Sequence, residues 1–478
     1  MPEEQDGIAT QVNASRRAQT SPESLKLVID ILRQQFGDRL QTSAAVREQH
    51  GNTLQWVPNE PPDAVVFATS HEDVSEIVRV CMEHRVPMIP FGTGSSLEGH
   101  VNAPFGGISI DTSQMNQILA VNVEDLDCVV QPGVTRKQLN EHLRDFGVYF
   151  PIDPGADASL GGMVATRASG TNAVRYGTML ENVRALKVIT PSGLEFVTAR
   201  RAKKSSAGYD LTRLFVGSEG TLGIVTEITL KLQGIPEAVA SGVCPFPSVK
   251  AACDAVILAI QTGLGVSRIE LLDTLQVKAC NAYSKLTLPE TPVLFVEFHG
   301  TDAGVAELSD RFAEIAAESG GGPYEWATKT EDRNRLWQAR HDAYWAAMAL
   351  RSGCKCISTD VCVPISRLAD CLTETQADLA STGLTGPIVG HVGDGNFHVL
   401  LVIDMDDEEE LASGKAFYHR LVERALAMGG TCTGEHGVGQ GKRAFLQKEL
   451  GSDALEFMRA IKQAIDPLDI MNPGKITG

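Results

Sequence analysis

Several features that would mark other classes of protein are missing from this sequence. No apolar stretch approaches the ~20 residues that a membrane-spanning helix requires, and none of the ten cysteines forms a C-x-x-C pair. Basic residues are scarce as well, because 42 Lys and Arg stand against 60 Asp and Glu, a net charge of −18. Nucleic acid is therefore not an expected partner, since phosphate contacts require clustered basic side chains. We expect a protein without a transmembrane segment that acts on a small molecule.

The cysteines and the N-terminus indicate the compartment. The densest cysteine group matches no common zinc or iron–sulfur spacing, so we expect buried, reduced thiols in a reducing compartment. That group is Cys354, Cys356, Cys362 and Cys371. The chain begins Met1-Pro2-Glu3-Glu4 without an apolar segment, and Arg16 with Arg17 is a poor transit signal. These features predict a soluble, cytoplasmic protein, peripheral at a membrane at most, and not a secreted one.

The length predicts more than one domain. A chain of 478 residues is too long for a single hydrophobic core, because cores stop growing near ~250–300 residues. A β-rich run at 221–232 is followed by Gly234-Ile235-Pro236, which makes a domain boundary. The pattern changes again after about Phe445, where a last helix and a tail follow. We therefore predict three segments, 1–236, 237–445 and 446–478.

Capping residues and apolar periodicity predict the main elements. Ser21 before Pro22 opens a helix that ends near Gly37, Ser70 opens a second, and Thr135 caps a third that stops at Gly147. Further helices are predicted at 249–262, 331–350, 415–428 and 454–465. Strands are predicted at 86–90, 107–111, 128–131, 186–190, 221–232, 292–299 and 398–403. The acidic run at 404–410 is predicted to be a solvated loop.

Glycine-rich loops beside predicted strands are the first candidate binding elements. The sequence Gly92-Thr93-Gly94-Ser95-Ser96-Leu97-Glu98-Gly99 follows a strand and can bring backbone N–H groups close to a phosphate. It is not a dinucleotide fingerprint, because Leu97 stands where that pattern requires a third glycine. Further small-residue stretches begin at Pro151, Ser159, Ser169 and Gly217. Together they suit an extended ligand with a pyrophosphate, such as FAD, and unrelated turns are the alternative.

Histidines framed by glycines are candidate metal ligands and bases. In His391-Val392-Gly393-Asp394-Gly395-Asn396-Phe397-His398, the central Asp-Gly pair predicts a two-residue hairpin that sets His391 opposite His398. Two imidazoles at that spacing can share one divalent ion. In the glycine-rich stretch 430–439, Glu435 is the natural third ligand, and His436 is then free to act as a base. Zinc and manganese both fit such a set, and purely structural histidines are the alternative.

Arg340 is the candidate anion-binding side chain. It lies in a predicted helix, with Tyr344 and Trp345 about one turn further along. The guanidinium fork matches a carboxylate bidentately. The alternative is an arginine on the helix surface that pairs with an acidic side chain.

These motifs, in this order, resemble those of the vanillyl-alcohol oxidase flavoprotein superfamily over nearly the full chain. Within it, the chain is similar to the branch of cytochrome-linked D-lactate dehydrogenases, glycolate oxidase flavin subunits and D-2-hydroxyglutarate dehydrogenases. The resemblance implies an α+β fold with a PCMH-type FAD-binding domain (1–236), a substrate and metal-binding cap domain with an antiparallel sheet (237–445), and a C-terminal segment (446–478) that returns to the first domain. The implied FAD contacts are Gly92, Thr93, Gly94, Ser95, Ser96, Leu97, Asp153, Ser159, Gly161, Gly162, Ser169, Glu219, Gly220, Gly223, Ile224 and Asn472.

The resemblance also implies roles for the polar residues. His391, His398 and Glu435 would bind the divalent metal, zinc or manganese. Arg340 would bind the substrate carboxylate, and His436 would accept the hydroxyl proton while hydride passes from C2 to the flavin. The reduced flavin would pass its electrons to a cytochrome or a quinone.

Two positions depart from the patterns of relatives. Ser95 stands where some superfamily members tether FAD through a histidine, so we expect FAD to be bound non-covalently. Tyr344 stands where hydroxyglutarate-specific relatives carry a threonine, which favours a short substrate beside it, with D-lactate first.

Other functions stay open on the sequence alone. They are an FAD-dependent oxidase that uses oxygen directly, a glycolate oxidase flavin subunit with a separate iron–sulfur partner, and a D-2-hydroxyglutarate dehydrogenase. A non-catalytic metal-binding protein, in which the glycine loops are only turns, is the alternative from another class. The sequence does not decide whether the protein forms a homodimer.

Overall fold

A computed structural model describes residues 20–51, 56–327 and 329–478 of the chain. The segment that begins Met1-Pro2-Glu3-Glu4, on which the targeting prediction depends, lies outside these residues. Within them, every helix is too short or too polar to cross a lipid bilayer. The ten cysteines all lie within these residues and form no disulfide bond. Eight are buried, but Cys354 and Cys362 of the densest group are half-buried, so the predicted burial of that group holds only for Cys356 and Cys371.

The strands of the described residues form four sheets. In chain order the strands are β1 (Leu40–Gln41), β2 (Ala64–Phe67), β3 (Met88–Phe91), β4 (Ile108–Asp111), β5 (Ile118–Asn122), β6 (Asp127–Val130), β7 (Val148–Tyr149), β8 (Val183–Ile189), β9 (Glu195–Val197), β10 (Ile224–Lys231), β11 (Gln233–Gly234), β12 (Ala238–Pro245), β13 (Val266–Leu272), β14 (Val293–Gly300), β15 (Glu325–Ala327), β16 (Lys355–Ser358), β17 (Val361–Cys362), β18 (Ile388–Gly390) and β19 (Asn396–Ile403).

The sheets divide along the sequence. The first has the order β1-β2-β4-β3, with β4 parallel to both β2 and β3. The second is antiparallel with the order β5-β6-β10-β8-β9, and β7 pairs with β11. After β11, a single eight-stranded antiparallel sheet has the order β15-β12-β14-β13-β18-β19-β16, with β17 paired to β19. The antiparallel sheet predicted for the second part of the chain is therefore confirmed.

The helices cover these sheets. In chain order they are α1 (Pro22–Phe36), α2 (Ala44–His50), α3 (His71–His84), α4 (Arg136–Leu143), α5 (Leu160–Thr166), α6 (Ala173–Tyr176), α7 (Met179–Asn182), α8 (Leu211–Phe215), α9 (Val249–Gln261), α10 (Thr274–Ser284), α11 (Asp302–Glu318), α12 (Thr330–His341), α13 (Ala343–Met348), α14 (Leu368–Thr382), α15 (Glu408–Ala427) and α16 (Arg443–Ile465). Short 3-10 turns lie at Gly37–Arg39, Arg144–Phe146 and Ile365–Arg367.

The eight-stranded sheet is covered on both faces. Apolar residues of α9, α11, α14 and α15 share one core with strand residues such as Val296 and Val399. The opposite face carries α10, α12 and α13, which pack with Phe295 and Val402. A strand with both faces covered is buried along its whole length, which explains the nearly continuous apolar run of β19.

The predicted helix starts are confirmed by their caps. The side chains of Ser21, Ser70 and Thr135 each accept the backbone N–H three residues further along. α4 ends at Leu143 and continues as a 3-10 turn up to Gly147, whose φ of 70° no β-branched residue would adopt easily. The capping residues therefore predicted these helix starts correctly, because a cap requires only residues that are neighbours in the sequence.

Two predicted elements are wrong. The helix predicted at 331–350 is two helices, α12 and α13, with Asp342 between them at φ −75° and ψ −5°. α13 buries Ala343 and Ala346 in the core beside α10. The acidic run at 404–410 is a loop only in its first half. The Asp407 side chain caps α15, and the acidic residues 408–410 form its first turn, where the helix dipole stabilises negative charge.

The C-terminal segment contacts the first sheet. Beyond α16, Met471 forms a parallel bridge with Met88 of β3. The Met88 N–H donates to the Ile470 carbonyl at 2.7 Å, and the Asn472 N–H donates back to the Met88 carbonyl at 2.8 Å. The side chain of Lys462 in α16 donates to the Thr221 and Met471 carbonyls. The last residues of the chain are thus attached to the part that contains the predicted FAD loops.

We expect Gly107→Ala to destabilise the first sheet strongly. Gly107 has φ +106°, and an added Cβ would collide with the Pro87 carbonyl oxygen, which itself accepts the N–H of Ile108 at 2.8 Å. Gly193 is the matched control, because its φ is +76° and no atom lies within 4 Å of an added Cβ. Its alanine variant should cost only the backbone term, about 1–2 kcal/mol. Thermal unfolding measures both, and equal melting temperatures for the two variants would contradict the collision.

Candidate active site

A cavity of about 450 Å³ is lined both by residues that precede β11 and by residues that follow it. One wall is formed by residues of the glycine loop after β3, by residues of α5 from Gly162 onward and by Glu219 with Gly220. The other wall comes from α12 and α13, from β18 and β19, and from the loop that carries Glu435 and His436. A cavity at such a junction, lined by few charged groups and many apolar ones, is the usual form of a small-molecule site.

The glycine-loop wall has the properties of a cofactor cradle. A Cβ on Gly92 would collide with the Ser159 hydroxyl, and Gly94 has φ +67°, so the loop closes tightly only with glycine at these places. The Ser96 hydroxyl and the Asn472 side-chain carbonyl line or adjoin the cavity, yet neither has a hydrogen-bond partner among the residues described. Buried polar atoms are normally satisfied. These groups therefore fit a bound polar ligand such as FAD.

Most of the predicted FAD contacts line this cavity. They are Gly92, Thr93, Gly94, Ser95, Ser96, Leu97, Asp153, Gly162, Ser169, Glu219, Gly220 and Asn472. Ser159, Gly161, Gly223 and Ile224 do not line it. Ser159 caps α5. A Cβ on Gly161 would collide with the Pro132 ring, and a Cβ on Gly223 would collide with the Ile189 carbonyl oxygen. Ile224 begins β10 in the apolar core.

His391, His398 and Glu435 come together in the cavity wall, and their ligand atoms all lie within 4.8 Å of one another. The Glu435 Oε1 atom is 3.2 Å from Nε2 of His391 and 3.3 Å from Nε2 of His398. Both imidazoles are held from behind, because Nδ1 of His398 contacts the Thr359 carbonyl at 2.9 Å and Nδ1 of His391 contacts Glu270 at 2.8 Å. Two Nε2 atoms and a carboxylate oxygen form a donor set that fits zinc or manganese.

The predicted hairpin between the two histidines is wrong in register. Strand β18 pairs with β19 so that Val389, not His391, lies opposite His398. The connection is longer than two residues, because the Asn396 N–H and the Asp394 N–H both donate to the His391 carbonyl. His391 and Val389 are two residues apart, so in an extended chain their side chains lie on the same face of the sheet. His391 is therefore a diagonal neighbour of His398, and the ring centroids are 5.7 Å apart.

His436 lies beside this set without joining it. Its ring stacks on that of His398 with centroids 5.1 Å apart and an angle of 10° between the planes. Its Nδ1 atom has no hydrogen-bond partner among the described side chains and backbone, and Glu98 and Asp360 carboxylate oxygens are 3.9 and 4.0 Å away. Burial lowers the pKa of His436 to about 4. The ring is therefore neutral at neutral pH and can accept a proton.

Arg340 lies in the cavity wall and is also paired with an acid. Its Nε and Nη2 atoms contact Oε2 of the buried Glu270 at 2.9 and 2.6 Å. Nη1 makes no hydrogen bond to the residues described. The same Glu270 carboxylate contacts His391 through Oε1. The two readings of Arg340 from the sequence are therefore both compatible with the structure, because one edge of the guanidinium is paired and the side chain still reaches the cavity.

Three buried charges hold the loop that carries Glu435 and His436. The Asp360 carboxylate accepts the backbone N–H groups of both residues, at 3.1 and 3.0 Å, and it pairs with Lys442 at 3.2 Å. Lys442 also pairs with Glu98 at 3.4 Å. Burial would raise the pKa of Asp360, but the Lys442 ammonium and the nearby imidazoles hold it well below its usual range. The Asp360 oxygens are thus already occupied by hydrogen bonds and an ion pair. The set of His391, His398 and Glu435 is therefore a better metal site than the alternative set of Asp360, His398 and His436.

Glu219 joins the same loop to the glycine-rich part of the chain. Its carboxylate accepts the backbone N–H groups of Val438 and Gly439 at 2.7 and 2.8 Å. Its backbone carbonyl accepts the side-chain amide of Asn472 at 2.7 Å. The residue is 5 % exposed and has φ +53°. Glu219 and Asn472 therefore have structural contacts in addition to their place in the cavity wall.

The sequence motifs do not include the buried partners behind the site. These partners are Glu270, Asp360 and Lys442, together with Glu98, which lies in the glycine loop. A charged residue inside an apolar strand pattern was the available signal for Glu270, in the run Val266–Leu272. Lys442 follows the glycines at 437–441 directly. Charge within a pattern that predicts burial indicates a paired partner elsewhere in the fold.

Comparison with known proteins gives the family. Residues 62–198 match the family model described as FAD binding domain, and residues 235–476 match the model described as FAD linked oxidases, C-terminal domain. The chain belongs to the FAD-linked oxidases. It is 52% identical over 467 residues to a probable mitochondrial D-lactate dehydrogenase of Danio rerio, covering 97% of this chain and 94% of the relative.

Two further relatives of this flavoprotein are named as a D-lactate dehydrogenase and a glycolate oxidase subunit. A mitochondrial D-lactate dehydrogenase [cytochrome] of Arabidopsis thaliana is 46% identical, with 94% of this chain and 80% of the relative covered. The glycolate oxidase subunit GlcD of Bacillus subtilis is 33% identical, with 87% and 89% covered. The resemblance to this branch of flavoproteins is therefore confirmed.

Solved structures confirm the fold. A 4-ethylphenol oxidase from Gulosibacter chungangensis superimposes with a TM-score of 0.78 at 16% identity, covering 96% of this chain and 98% of that chain. A p-cresol methylhydroxylase gives 0.77 at 17% identity with the same coverage. The predicted two-domain fold of the vanillyl-alcohol oxidase type is the fold of this flavoprotein.

We expect Lys442→Met to destabilise the protein by about 3–5 kcal/mol, because removing one partner leaves Asp360 and Glu98 as buried, uncompensated carboxylates. Lys250→Met is the control. Lys250 pairs with Asp254 at 2.7 Å, but on the exposed surface of α9, where an ion pair contributes little. Thermal unfolding of the FAD-loaded proteins measures both changes. A melting temperature for Lys442→Met equal to that of Lys250→Met would show that the buried cluster does not stabilise the fold.

Proposed function

We propose that this flavoprotein is a divalent-metal-dependent dehydrogenase that oxidises a small D-2-hydroxy acid, with D-lactate first. The observation that carries the proposal is one cavity whose wall combines the glycine loop, the donor set of His391, His398 and Glu435, a neutral His436, and Arg340. The relatives named D-lactate dehydrogenase support the choice of substrate. The division into an FAD-binding domain (1–236), a cap domain (237–445) and a returning segment (446–478) is part of the same proposal.

FAD and the divalent metal have defined places in this proposal. The residues at 92–97 with Ser169 and Asn472 would hold FAD without a covalent bond, since Ser95 offers no imidazole for a tether. His391, His398 and Glu435 would hold zinc or manganese. When bound, FAD supplies a two-electron acceptor, and the metal supplies a Lewis acid that lowers the pKa of a bound hydroxyl.

The chain's own residues bind the acid and remove its proton. Arg340 offers Nη1, the nitrogen that Glu270 leaves unpaired, to the substrate carboxylate. The neutral ring of His436 accepts the proton of the 2-hydroxyl group. The resulting imidazolium lies 3.9 Å from Glu98 and 4.0 Å from Asp360, and these carboxylates stabilise the positive charge at the moment it forms.

The neighbours of the metal ligands favour a short substrate. Val389 lies opposite His398, and Leu400 lies two residues beyond it on the same face of β19. Both line the cavity together with Tyr344. Apolar and aromatic side chains suit a methyl group and disfavour a second, unpaired carboxylate. This wall supports lactate over a dicarboxylate such as 2-hydroxyglutarate.

The electron acceptor and the location are further parts of the proposal. We propose a cytochrome or a quinone as acceptor, supported by the word cytochrome in the name of the Arabidopsis thaliana relative. The cytoplasmic location stays a prediction from the sequence, beside relatives whose names place them in mitochondria. A homodimer is compatible with this function and is not required by it.

Anaerobic reduction of the flavin tests the proposal. We expect D-lactate to bleach the yellow protein rapidly, whereas L-lactate does not, and we expect a chelator to stop the bleaching until a divalent metal is returned. Faster bleaching by glycolate or D-2-hydroxyglutarate would replace D-lactate by that substrate. Absence of bleaching by all of these acids in a yellow, metal-loaded protein would rule out the substrate class. In air, stoichiometric peroxide would indicate an oxidase.

His436→Ala should reduce kcat for D-lactate by about 100-fold or more, the usual contribution of a positioned base, while FAD content and metal content stay at the wild-type level. His419→Ala is the control, because His419 is exposed on α15 beside Glu423. Steady-state kinetics, flavin absorbance and elemental analysis measure the three quantities. Wild-type turnover in the His436 variant would assign the base to another residue.

A further inference from the structure

Glu270 connects the two functions of the cavity wall. It lies in β13, is 1 % exposed, and uses each of its carboxylate oxygens for a different partner. Oε2 accepts the Nε–H of Arg340 at 2.9 Å and lies 2.6 Å from Nη2 of the same guanidinium. Oε1 contacts Nδ1 of His391 at 2.8 Å. One buried carboxylate thus contacts both the proposed substrate anchor and a proposed metal ligand.

The sheet register explains this position. Strands β13 and β18 pair with Leu271 opposite Gly390 and Leu272 opposite Val389. One step further along, the same register sets Glu270 opposite His391, just beyond the end of β18. Directly opposed side chains of an antiparallel pair have Cβ atoms about 4.5–5.5 Å apart. The Glu270–His391 contact therefore follows from backbone pairing, and Arg340 is added to it by α12.

We propose that Glu270 is a positioning residue that fixes Arg340 and His391 relative to each other, so that one side chain sets both the metal affinity and the substrate affinity. This inference rests on the proposed function. A carboxylate that accepts from Nδ1 fixes the tautomer in which Nε2 of His391 carries the lone pair, on the side of Glu435. The same carboxylate holds the Nε–Nη2 edge of Arg340 and leaves Nη1 for an anion.

Glu270→Gln is the informative variant because a glutamine has the same shape but only one acceptor oxygen. That oxygen can serve Arg340 or His391, and the other partner then faces an N–H donor. We expect metal affinity to fall about 10- to 100-fold, the usual effect of losing such a partner of a metal-bound histidine. At saturating metal, we expect the KM for D-lactate to rise by about 10-fold or more, with a smaller change in kcat.

Glu297→Gln is the matched control. Glu297 lies in the adjacent strand β14, is 4 % exposed, and also contacts a histidine and an arginine. Its Oε1 atom is 2.8 Å from Nε2 of His299 and 3.5 Å from Nη1 of Arg268. Neither Glu297 nor His299 lines the cavity. The control therefore removes an equally buried charge from a similar pair without touching the proposed metal ligands.

The experiment measures metal affinity by chelator competition, KM and kcat for D-lactate, and FAD content, all in the full-length, FAD-loaded protein. A loss of metal affinity together with a higher KM in Glu270→Gln, and neither change in Glu297→Gln, is the expected result. The inference is overturned if only one of the two quantities changes, or if the two variants change alike.

Glu270→Asp and the wild-type protein provide two further controls. Glu270→Asp retains the charge but withdraws the carboxylate by one methylene, so both quantities should lie between those of wild type and Glu270→Gln; it carries the test alone if the glutamine variant does not fold. Wild-type affinities for both quantities in Glu270→Asp would overturn the positioning role. Failure of the proposed function would show separately, as wild-type protein that binds no divalent metal or is not reduced by any 2-hydroxy acid.

Discussion

The geometry of the site depends on the carboxylate of Asp360. It accepts the backbone N–H groups of Glu435 and His436, and it pairs with Lys442, all at 3.0–3.2 Å. A second oxygen accepts the side-chain amide of Asn396, where β19 begins. One buried anion thus attaches the loop that carries Glu435 and His436 to the strand that leads to His398. Without it, these backbone N–H groups would lack partners in a dry interior, at a cost of about 1–3 kcal/mol each.

The same constraint organises the rest of the cavity wall. Charges that are removed from water must be paired, or the fold loses several kcal/mol for each of them. Lys442 compensates Asp360 and Glu98, and Glu270 compensates Arg340. Glu435 lies between two imidazoles, which outweigh the effect of burial and hold its pKa well below the usual range. Arg340 and His391 therefore share a polar partner behind the cavity wall, whereas the ring Nδ1 of His436 has none among the described residues.

Local signals in the sequence predicted the local parts of this arrangement. Caps at Ser21, Ser70 and Thr135 need only neighbouring residues, and the glycine loop after β3 follows from short-range conformational demands. The residues of the proposed metal set stand out in the sequence because glycines frame them. The predicted register between β18 and β19 was wrong. The Asp-Gly signal is local and does not report that the loop packs against Val363, whose carbonyl leaves no space for a Cβ on Gly395. Tertiary contact overrode the turn preference.

The partners behind the site could not be found in the same way, because their spacing in the chain carries no pattern. Glu270 meets Arg340 across 70 residues and His391 across 121. What the sequence does show is that Glu270 is a charge inside a strand whose other residues are mostly apolar. A charge in such a strand requires a partner elsewhere in the fold, and the sequence pattern does not show which of the 42 basic residues supplies it. In the structure the partner of Glu270 is Arg340, and each charge explains how the other is tolerated in the interior.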